Sequence, residues 1–331
     1  MTRIAASAPG KFVLSGEYAV LDGAPAVCVA VDRRAEVTIE ARDGPCHIVT
    51  APGFSAASGR FAADAGGLRW LADGQDFFLF ETAWNASCPG VAETSLAISL
   101  DTMAFREAGS GSKLGLGSSA ALTAAIATAL QSLGGAGAAE AAHAAHRLFQ
   151  GGSGSGVDIA CSIAGGVIEY RMQDRRSTLL DWPQGLYYRL FWSGVTAETQ
   201  SRIARFRDQP ASRSRDELGG ASRAVAALWA NGDAPAIVAA IGAYTRALQR
   251  FDETHGLGIF DAGHAQLAAQ AAEAGMVYKP CGAGGGDVGV ALATSRSSLA
   301  SFEKTAIRAG FSVLESSIDP RGAMLHDIDE P

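Results

Sequence analysis

Lysine is scarce in this sequence of 331 residues, and so are cysteine pairs and long apolar runs. Only four of the 27 basic residues are lysines, and three of the four lie beside glycine-rich segments. They are Lys11, Lys113, Lys279 and Lys304. A lysine ammonium binds phosphate as a compact point charge. The scarcity therefore favours a phosphate-binding role for the lysines that remain, with chance clustering as the alternative.

The five cysteines are an odd number, and no two of them form a C-x-x-C pair. Pro9, Gly10 and Lys11 interrupt the first twenty residues before an apolar region can form, so we expect no secretory signal. Together these features predict reduced thiols and a cytoplasmic location. Because no apolar run reaches about 18 residues, the sequence also predicts no transmembrane helix.

Charge and hydropathy narrow the class of protein further. The net charge is -7, which argues against a protein held to nucleic acid by its overall field. A local basic pocket for an anionic small molecule is still compatible with it. Hydrophobic residues make up 48% and charged residues 18%, which predicts a packed core of one large domain or two ordinary ones.

Strand and helix patterns alternate along the chain, which predicts a mixed α and β class. Apolar runs bounded by turn signals predict strands at 11–15, 26–31, 35–40, 96–101, 186–193, 276–279, 288–293 and 311–315. Helices are predicted at 78–86, 119–133, 138–150, 199–207, 214–231, 234–251, 262–274 and 297–309. Near residues 185–200 the predicted elements change to a run of consecutive helices. This change predicts two lobes, residues 1–190 and residues 191–331.

Segment 113–121, Lys-Leu-Gly-Leu-Gly-Ser-Ser-Ala-Ala, carries the strongest local signal. Glycines let backbone N–H groups approach an anion, and the start of the following helix adds a positive dipole end. Lys113 could clamp charge, and the Ser119 hydroxyl could bind Mg²⁺ held by ATP. A linker or a helix cap is the plainer alternative. A dinucleotide site ranks low because no hydrophobic strand precedes the segment, and no Walker-type P-loop is present.

Three further segments combine glycine with charge. Segment 152–158 ends in Asp158, which could accept a proton or orient a nucleophile, or simply cap a helix. Segment 279–287 contains three consecutive glycines, which indicates close approach to a ligand or another loop, or else a long flexible hairpin. Segment 8–20 places Lys11 on a strand ahead of Glu17 and Tyr18, and an ordinary edge strand would give the same pattern.

Taken in order, these segments resemble the small-molecule kinase superfamily that joins galactokinase, homoserine kinase, mevalonate kinase and phosphomevalonate kinase (the GHMP kinases). Segments 8–20, 113–121 and 279–287 are similar to its first, ATP-phosphate and third motifs, and the likeness spans residues 8 to about 291. Within it, Lys113 ahead of the glycines and Tyr18 after Glu17 resemble the phosphomevalonate kinase branch. Segments 150–158, 191–194 and 197–199 fit that branch as well.

The resemblance implies a two-lobed α+β fold, with an N-terminal mixed sheet with helices, a ferredoxin-like C-terminal lobe and the active site between them. It implies ATP and Mg²⁺ as cofactors, and mevalonate 5-phosphate as acceptor. Catalytic residues would be Lys11, Lys113 and Asp158. ATP would contact Gly115, Leu116, Gly117, Ser118, Ser119 and Ala120, with Ser119 as metal ligand. The acceptor would contact Glu17, Tyr18, Ser155, Gly156, Ser193, Thr199, Gly284 and Gly285.

One departure and several alternatives stay open. His146 lies roughly where mevalonate kinases place a Mg²⁺-binding Glu, so Ser119 is the one metal ligand that we predict. The alternatives are mevalonate kinase or another kinase of the superfamily, a decarboxylase relative, and a ligand-binding homologue without turnover. We expect a small-molecule substrate, no nucleic-acid or membrane partner, and leave a homodimer open.

Overall fold

A computed structural model describes residues 3–64, 66–88, 94–152, 154–197, 202, 204–206 and 211–326. Its strands are β1 (Arg3–Ser15), β2 (Ala26–Arg42), β3 (His47–Thr50), β4 (Ser58–Asp64), β5 (Gly67–Ala72), β6 (Ser95–Asp101), β7 (Val167–Arg171), β8 (Arg176–Leu180), β9 (Tyr187–Trp192), β10 (Val277–Pro280), β11 (Val288–Ala293), β12 (Ser312–Leu314) and β13 (Met324–His326). Its α-helices are α1 (Phe78–Ser87), α2 (Ser118–Gln131), α3 (Ala138–Phe149), α4 (Val157–Ala164), α5 (Arg213–Trp229), α6 (Ala234–His255), α7 (His264–Glu273) and α8 (Arg296–Arg308).

The first sheet has the order β13-β1-β2-β6-β3-β4-β5, with β7 on β2 and β8 on β7. Its spine is the antiparallel ladder of β1 and β2, which runs from the Arg3–Glu40 pair to the Ser15–Val27 pair. Since β3 runs parallel to β6 and the other pairs are antiparallel, the sheet is mixed, as the resemblance implied.

A β-bulge explains one difference from the predicted elements. The sequence predicts separate strands at 26–31 and 35–40, but the chain forms the single strand β2. Between the Pro9–Arg34 and Gly10–Val31 pairs the register shifts, so Asp32 and Arg33 have no opposite residue. An extra residue in a ladder bends a strand without ending it, and polar residues at such a bulge look like a turn in the sequence.

Helix α2 lies against the first sheet and is buried nearly all round, as its apolar composition predicted. Ala121, Ala124, Ala125 and Ala129 are all 0% exposed. Small side chains let the helix axis approach the sheet and its neighbours α1, α3 and α4 closely. This packing fixes the position of the helix start at Ser118, where segment 113–121 ends.

The second sheet has the order β10-β11-β9-β12, and its neighbours are all antiparallel. Helices separate β9 from β10, and α8 separates β11 from β12. This is the β-α-β-β-α-β arrangement of ferredoxin-like folds, and it confirms the predicted fold class. The proposed lobe boundary after residue 190 cuts β9, so a division before Tyr187 keeps that strand whole. The division into two lobes itself stays a prediction.

Within the described residues the chain crosses between the sheets twice, because after β12 of the second sheet it returns to form β13, which pairs with β1 in the first. Arg34 on β2 forms an ion pair with the buried Asp319 just before that strand. No α-helix in the described ranges is both long and apolar enough to cross a membrane.

Candidate active site

A cavity of about 660 Å³ lies where the four glycine-containing segments meet. We call it the main cavity. Eleven predicted site residues line it: Lys11, Glu17, Tyr18, Lys113, Gly115, Gly117, Ser118, Ser119, Ser155, Gly156 and Asp158. Segment 279–287 contributes Cys281, Gly282, Ala283 and Asp287 to the wall. Segments that are far apart in the sequence therefore share one concave site, which is the arrangement a ligand cavity needs.

Two glycines shape the part of the cavity at the start of α2. Gly115 and Gly117 have φ values of +79° and +78°, in the left-handed region that favours glycine. A Cβ on Gly117 would lie 2.9 Å from Lys11 Cε, and one on Gly115 would lie 2.3 Å from Asp287 Cβ. The Lys11 backbone N–H donates to the Leu116 carbonyl at 2.8 Å, which ties the segment to β1. Free N–H groups at the start of a helix form a site for an anion.

Lys11 and Asp158 form an ion pair inside the cavity. Lys11 Nζ lies 3.1 Å from Asp158 Oδ1, and the lysine is 6% exposed. Burial by itself lowers the pKa of Lys11, but the Asp158 carboxylate outweighs it and raises the pKa above its ordinary value. The ammonium therefore stays charged at neutral pH, next to the start of α2. The Asp158 side chain is 29% exposed and still accessible from the cavity.

Lys113 and Asp287 also line the cavity, near Gly115. Lys113 is exposed, so its ammonium can reach an incoming anion. Asp287 accepts a hydrogen bond from the Ala197 N–H at 3.1 Å and has a φ of +55°. Burial raises the pKa of Asp287. Asp287 ends segment 279–287 and had no predicted role, although a carboxylate that closes a glycine-rich segment is a signal for one.

The Ser119 hydroxyl pairs with His146, which the resemblance put near the position of a Mg²⁺-binding Glu without giving it a role. Ser119 Oγ lies 3.1 Å from His146 Nε2, and the histidine is 3% exposed. Burial lowers the pKa of His146, so the ring is neutral at pH 7. Phe149 and Gln150 from the same helix end also line the cavity. The α3 helix places these residues opposite Ser119, and their distance in sequence hides the contact.

A magnesium ion fits this site only if the phosphates of a nucleotide supply part of its ligands. Among the described residues, no group of three or more His, Cys, Asp or Glu side chains could hold a metal ion. Of the cavity carboxylates, those of Asp158 and Glu17 are each paired with a lysine, and that of Asp287 accepts from the Ala197 N–H. Mg²⁺ usually keeps waters and binds through one or two protein groups plus substrate phosphates. The Ser119 oxygen fits such a minor share of the ligand set.

Glu17 and Tyr18 connect the end of β1 to segment 279–287. The Tyr18 hydroxyl donates to the Ala283 carbonyl at 2.7 Å. Glu17 is 5% exposed and forms an ion pair with Lys279, which is 0% exposed and does not line the cavity. The expectation that lysines beside glycines bind phosphate is therefore wrong for Lys279, whereas the positions of Lys11 and Lys113 agree with it.

Several predicted contact residues lie outside the cavity lining. Leu116 and Ala120 have buried side chains. The Ser193 hydroxyl donates to the Val195 carbonyl at 3.2 Å. A Cβ on Gly284 would clash with Ile259 at 2.5 Å, and one on Gly285 would clash with Arg202. Thr199 lies outside the described residues. Positive φ values at both glycines agree with the prediction of close approach, but the partner is the protein itself.

Comparison with known proteins supports this description. No family model matches the chain. A phosphomevalonate kinase from Streptomyces sp. (strain CL190) is 29% identical over 347 aligned positions, covering 88% of this chain and 90% of the relative. A Lin0012 protein from Listeria innocua superposes with a TM-score of 0.86 at 22% identity, over 98% of this chain and 100% of the other. Phosphomevalonate kinase of Streptococcus pneumoniae, in complex with phosphomevalonate and AMPPNP, gives 0.79 at 18%, over 95% and 99%.

The chain thus has the fold of the small-molecule kinase superfamily, with the cavity formed by its motif segments. In sequence it is similar to a phosphomevalonate kinase. The predicted resemblance and fold are confirmed. Kinases among its sequence and structural relatives also bear out the prediction of an ATP-dependent phosphotransferase.

Proposed function

We propose that this protein transfers the γ-phosphoryl group of ATP to the phosphate of mevalonate 5-phosphate, giving mevalonate 5-diphosphate and ADP, in the mevalonate pathway. The observation that carries the proposal is the Lys11–Asp158 pair, at 3.1 Å, in the same cavity as Lys113 and the glycine-lined start of α2. The similarity to a phosphomevalonate kinase over 88% of the chain supports this choice of acceptor.

ATP is proposed to lie with its phosphates along Gly115 to Ala120. Gly115, Gly117, Ser118 and Ser119 face the cavity, whereas Leu116 and Ala120 would contribute through their backbone. Free N–H groups at the start of α2 offset phosphate charge. Mg²⁺, when bound, neutralises charge on the phosphates, and Ser119 would hold it.

Lys11 and Lys113 are proposed to stabilise the charge that spreads over the transferring phosphoryl group. Phosphoryl transfer depends mainly on positioning and on such electrostatic stabilisation. An acceptor phosphate has a second pKa of about 6 and is largely ionised at pH 7, so it needs little help from a base. Asp158 would then orient Lys11 and the acceptor instead of removing a proton.

The acceptor is proposed to occupy the side of the cavity lined by Glu17, Tyr18, Ser155 and Gly156. Ser193, Gly284 and Gly285 lie behind this wall, so their part would be to support its shape. Thr199 keeps its predicted role as a contact of the acceptor. The active site would lie between the two proposed lobes, in a cytoplasmic enzyme.

Mevalonate kinase is the second candidate, and one observation favours it. The Asp158 carboxylate is 29% exposed in the cavity, where it could act as a base for an alcohol acceptor. Coupled ADP-release assays with mevalonate 5-phosphate, mevalonate and no acceptor separate these functions. We expect release with mevalonate 5-phosphate and little with mevalonate. Evolution of CO₂ would instead identify a decarboxylase, and no ADP release with any acceptor would contradict the proposal.

Lys113→Ala provides a sharper test of the mechanism. Removing a lysine that stabilises transferring charge is expected to lower kcat by a factor of about 100 or more. Because Lys113 is exposed, the variant should unfold at the wild-type temperature. Lys304→Ala, at an exposed position on α8, is the matched control and should keep wild-type kinetics. Equal rates in the two variants would remove Lys113 from the mechanism.

A further inference from the structure

A buried ion pair lies behind the wall of the main cavity, and one of its charges has no access to the cavity. Lys279 is 0% exposed and does not line the cavity, and its Nζ lies 2.5 Å from Glu17 Oε1. Desolvation makes a buried charge costly unless it is paired and fully hydrogen-bonded. The proposed reaction gives Lys279 no contact with a substrate, so its charge has to be explained by what it holds together.

Tyr244 completes the hydrogen bonding of this pair. Its hydroxyl donates to Glu17 Oε2 at 2.7 Å and accepts from the Gly16 N–H at 3.0 Å. Burial and the Glu17 charge raise the pKa of Tyr244, so the phenol keeps its proton. Lys279 Nζ also donates to the Val13 carbonyl at 3.2 Å. Both carboxylate oxygens of Glu17 therefore have a donor inside the protein.

The Glu17–Lys279–Tyr244 cluster joins three elements. Glu17 follows β1 of the first sheet, Lys279 lies on β10 of the second sheet, and Tyr244 lies on α6. Cys281, two residues beyond Lys279, is where segment 279–287 begins to line the cavity. Lys11, on the same strand as Val13, lines the facing part. A shift of β10 relative to β1 would therefore move two walls of the cavity against each other.

We propose that Lys279 is a positioning residue which, through Glu17 and Tyr244, holds the wall at 281–283 against the end of β1 and so sets the width of the acceptor side of the cavity. The identity of the acceptor rests on the proposed function. The coupling within the cluster does not, because it can be measured on the protein without substrate.

The pair has a distinctive energetic signature. Removing one partner of a buried ion pair leaves an unpaired charge and is strongly destabilising, whereas replacing both partners by neutral groups often costs little. A lysine that contacted phosphate would behave differently. Its removal would weaken ligand binding without leaving a buried carboxylate unpaired, so a second substitution at position 17 would restore no stability.

A double-mutant cycle tests the proposal with Lys279→Met, Glu17→Gln and the double variant. Thermal unfolding is measured for each, together with KM and kcat for ATP and mevalonate 5-phosphate. We expect Lys279→Met to lower the unfolding temperature and to raise the acceptor KM about tenfold or more, with the double variant recovering most of the lost unfolding temperature. Lys304→Met, at an exposed site, is the matched control.

The proposal would be overturned if the double variant unfolded at no higher temperature than Lys279→Met. It would also be overturned if Lys279→Met had the unfolding temperature and acceptor KM of Lys304→Met. If Lys279→Met fails to fold while the double variant folds, the result supports the proposal.

If neither variant folds, Tyr244→Phe decides, because it removes the hydroxyl and keeps the ring. It should raise the acceptor KM more than it lowers kcat, and unchanged kinetics and stability would overturn the proposal. A wild type without ADP release would contradict the proposed function, while the unfolding cycle would still decide this inference.

Discussion

Segments 113–121 and 279–287 look alike in sequence, but of the four glycines in the second segment only Gly282 lines the main cavity. Gly115 and Gly117 line the main cavity, where a ligand can approach their backbone. Gly284 and Gly285 instead pack against Ile259 and Arg202. Both pairs have positive φ values, so both need glycine. The comparison teaches that a glycine-rich sequence indicates close approach without saying whether the approaching group is a ligand or the protein.

The largest effect is expected from Gly117→Ala in the cavity segment. The new Cβ would lie 2.9 Å from Lys11 Cε and force the ammonium away from Asp158. Because misplaced catalytic groups are costly, we expect kcat/KM for ATP to fall by about 100-fold. Gly220→Ala, on α5 with no atom near the new Cβ, is the control and should keep wild-type kinetics. Comparable kinetics in the two variants would show that this glycine does not face the nucleotide.

Gly284→Ala should give the reverse result, a loss of stability with little change in ATP binding. Its Cβ would lie 2.5 Å from the Ile259 carbonyl oxygen, and its φ is +75°. Steric overlap and backbone strain together are expected to lower the free energy of unfolding by about 2–4 kcal/mol, measured in urea.

Gly282→Ala is the matched control for that variant. Its φ of +72° gives the same backbone strain, but no atom lies within 4 Å of the new Cβ. The difference between the two variants isolates the steric contact. If Gly284→Ala were as stable as Gly282→Ala, the packing of segment 279–287 against Ile259 would not be important for the fold.

An effect that appears only at acid pH should come from His264, which holds the same segment. Its ring nitrogens lie 2.8 Å from the Tyr278 hydroxyl and 3.1 Å from the Gly286 carbonyl. Burial lowers the pKa of His264 to about 4. The unfolded chain therefore binds a proton that the folded protein excludes, and stability is lost as pH falls from about 6.5 towards 4. A shift of this size corresponds to about 3 kcal/mol.

Urea unfolding of His264→Gln against pH checks this expectation. The variant should have a flatter profile than the wild type between about pH 6.5 and 4. Part of the slope should remain, since burial also lowers the pKa of His143 to about 4. His326→Gln, at an exposed position on β13, should keep the wild-type slope. An unchanged slope in His264→Gln would mean that this ring does not control the acid sensitivity of the segment.

Local patterns predicted the fold correctly where an apolar run is bounded by turn or capping residues. Strand β11 has the predicted bounds 288–293 because a buried apolar run there lies between glycines and a serine cap. Helix α2 was predicted for the same reason, from uniform apolar composition before a glycine. Residues 41–75 gave weak patterns, and β3 forms there by pairing with the distant strand β6, while β4 and β5 extend the sheet as antiparallel neighbours of β3. Pairing of that kind depends on tertiary neighbours.

The site residues divide in the same way, into those predicted from local sequence and those whose contacts depend on distant parts of the chain. Lys11, Lys113 and Asp158 were predicted from charge beside glycine, and the fold brings them into one cavity. The contact of His146 with Ser119 was not predicted, because it joins α3 to α2 across 27 positions of sequence. The pairing of Glu17 with Lys279 spans 262 positions. A charged residue gives the same local signal whether its partner is a substrate, solvent or a buried side chain.

The return of β13 to the first sheet limits how the molecule can open. Two separate stretches of backbone link the sheets, one before β9 and one after β12. A body tethered at two points can turn only about the line that joins them. We therefore expect substrate entry to depend on hinge-like rotation about that single axis, with sideways sliding of one half over the other suppressed.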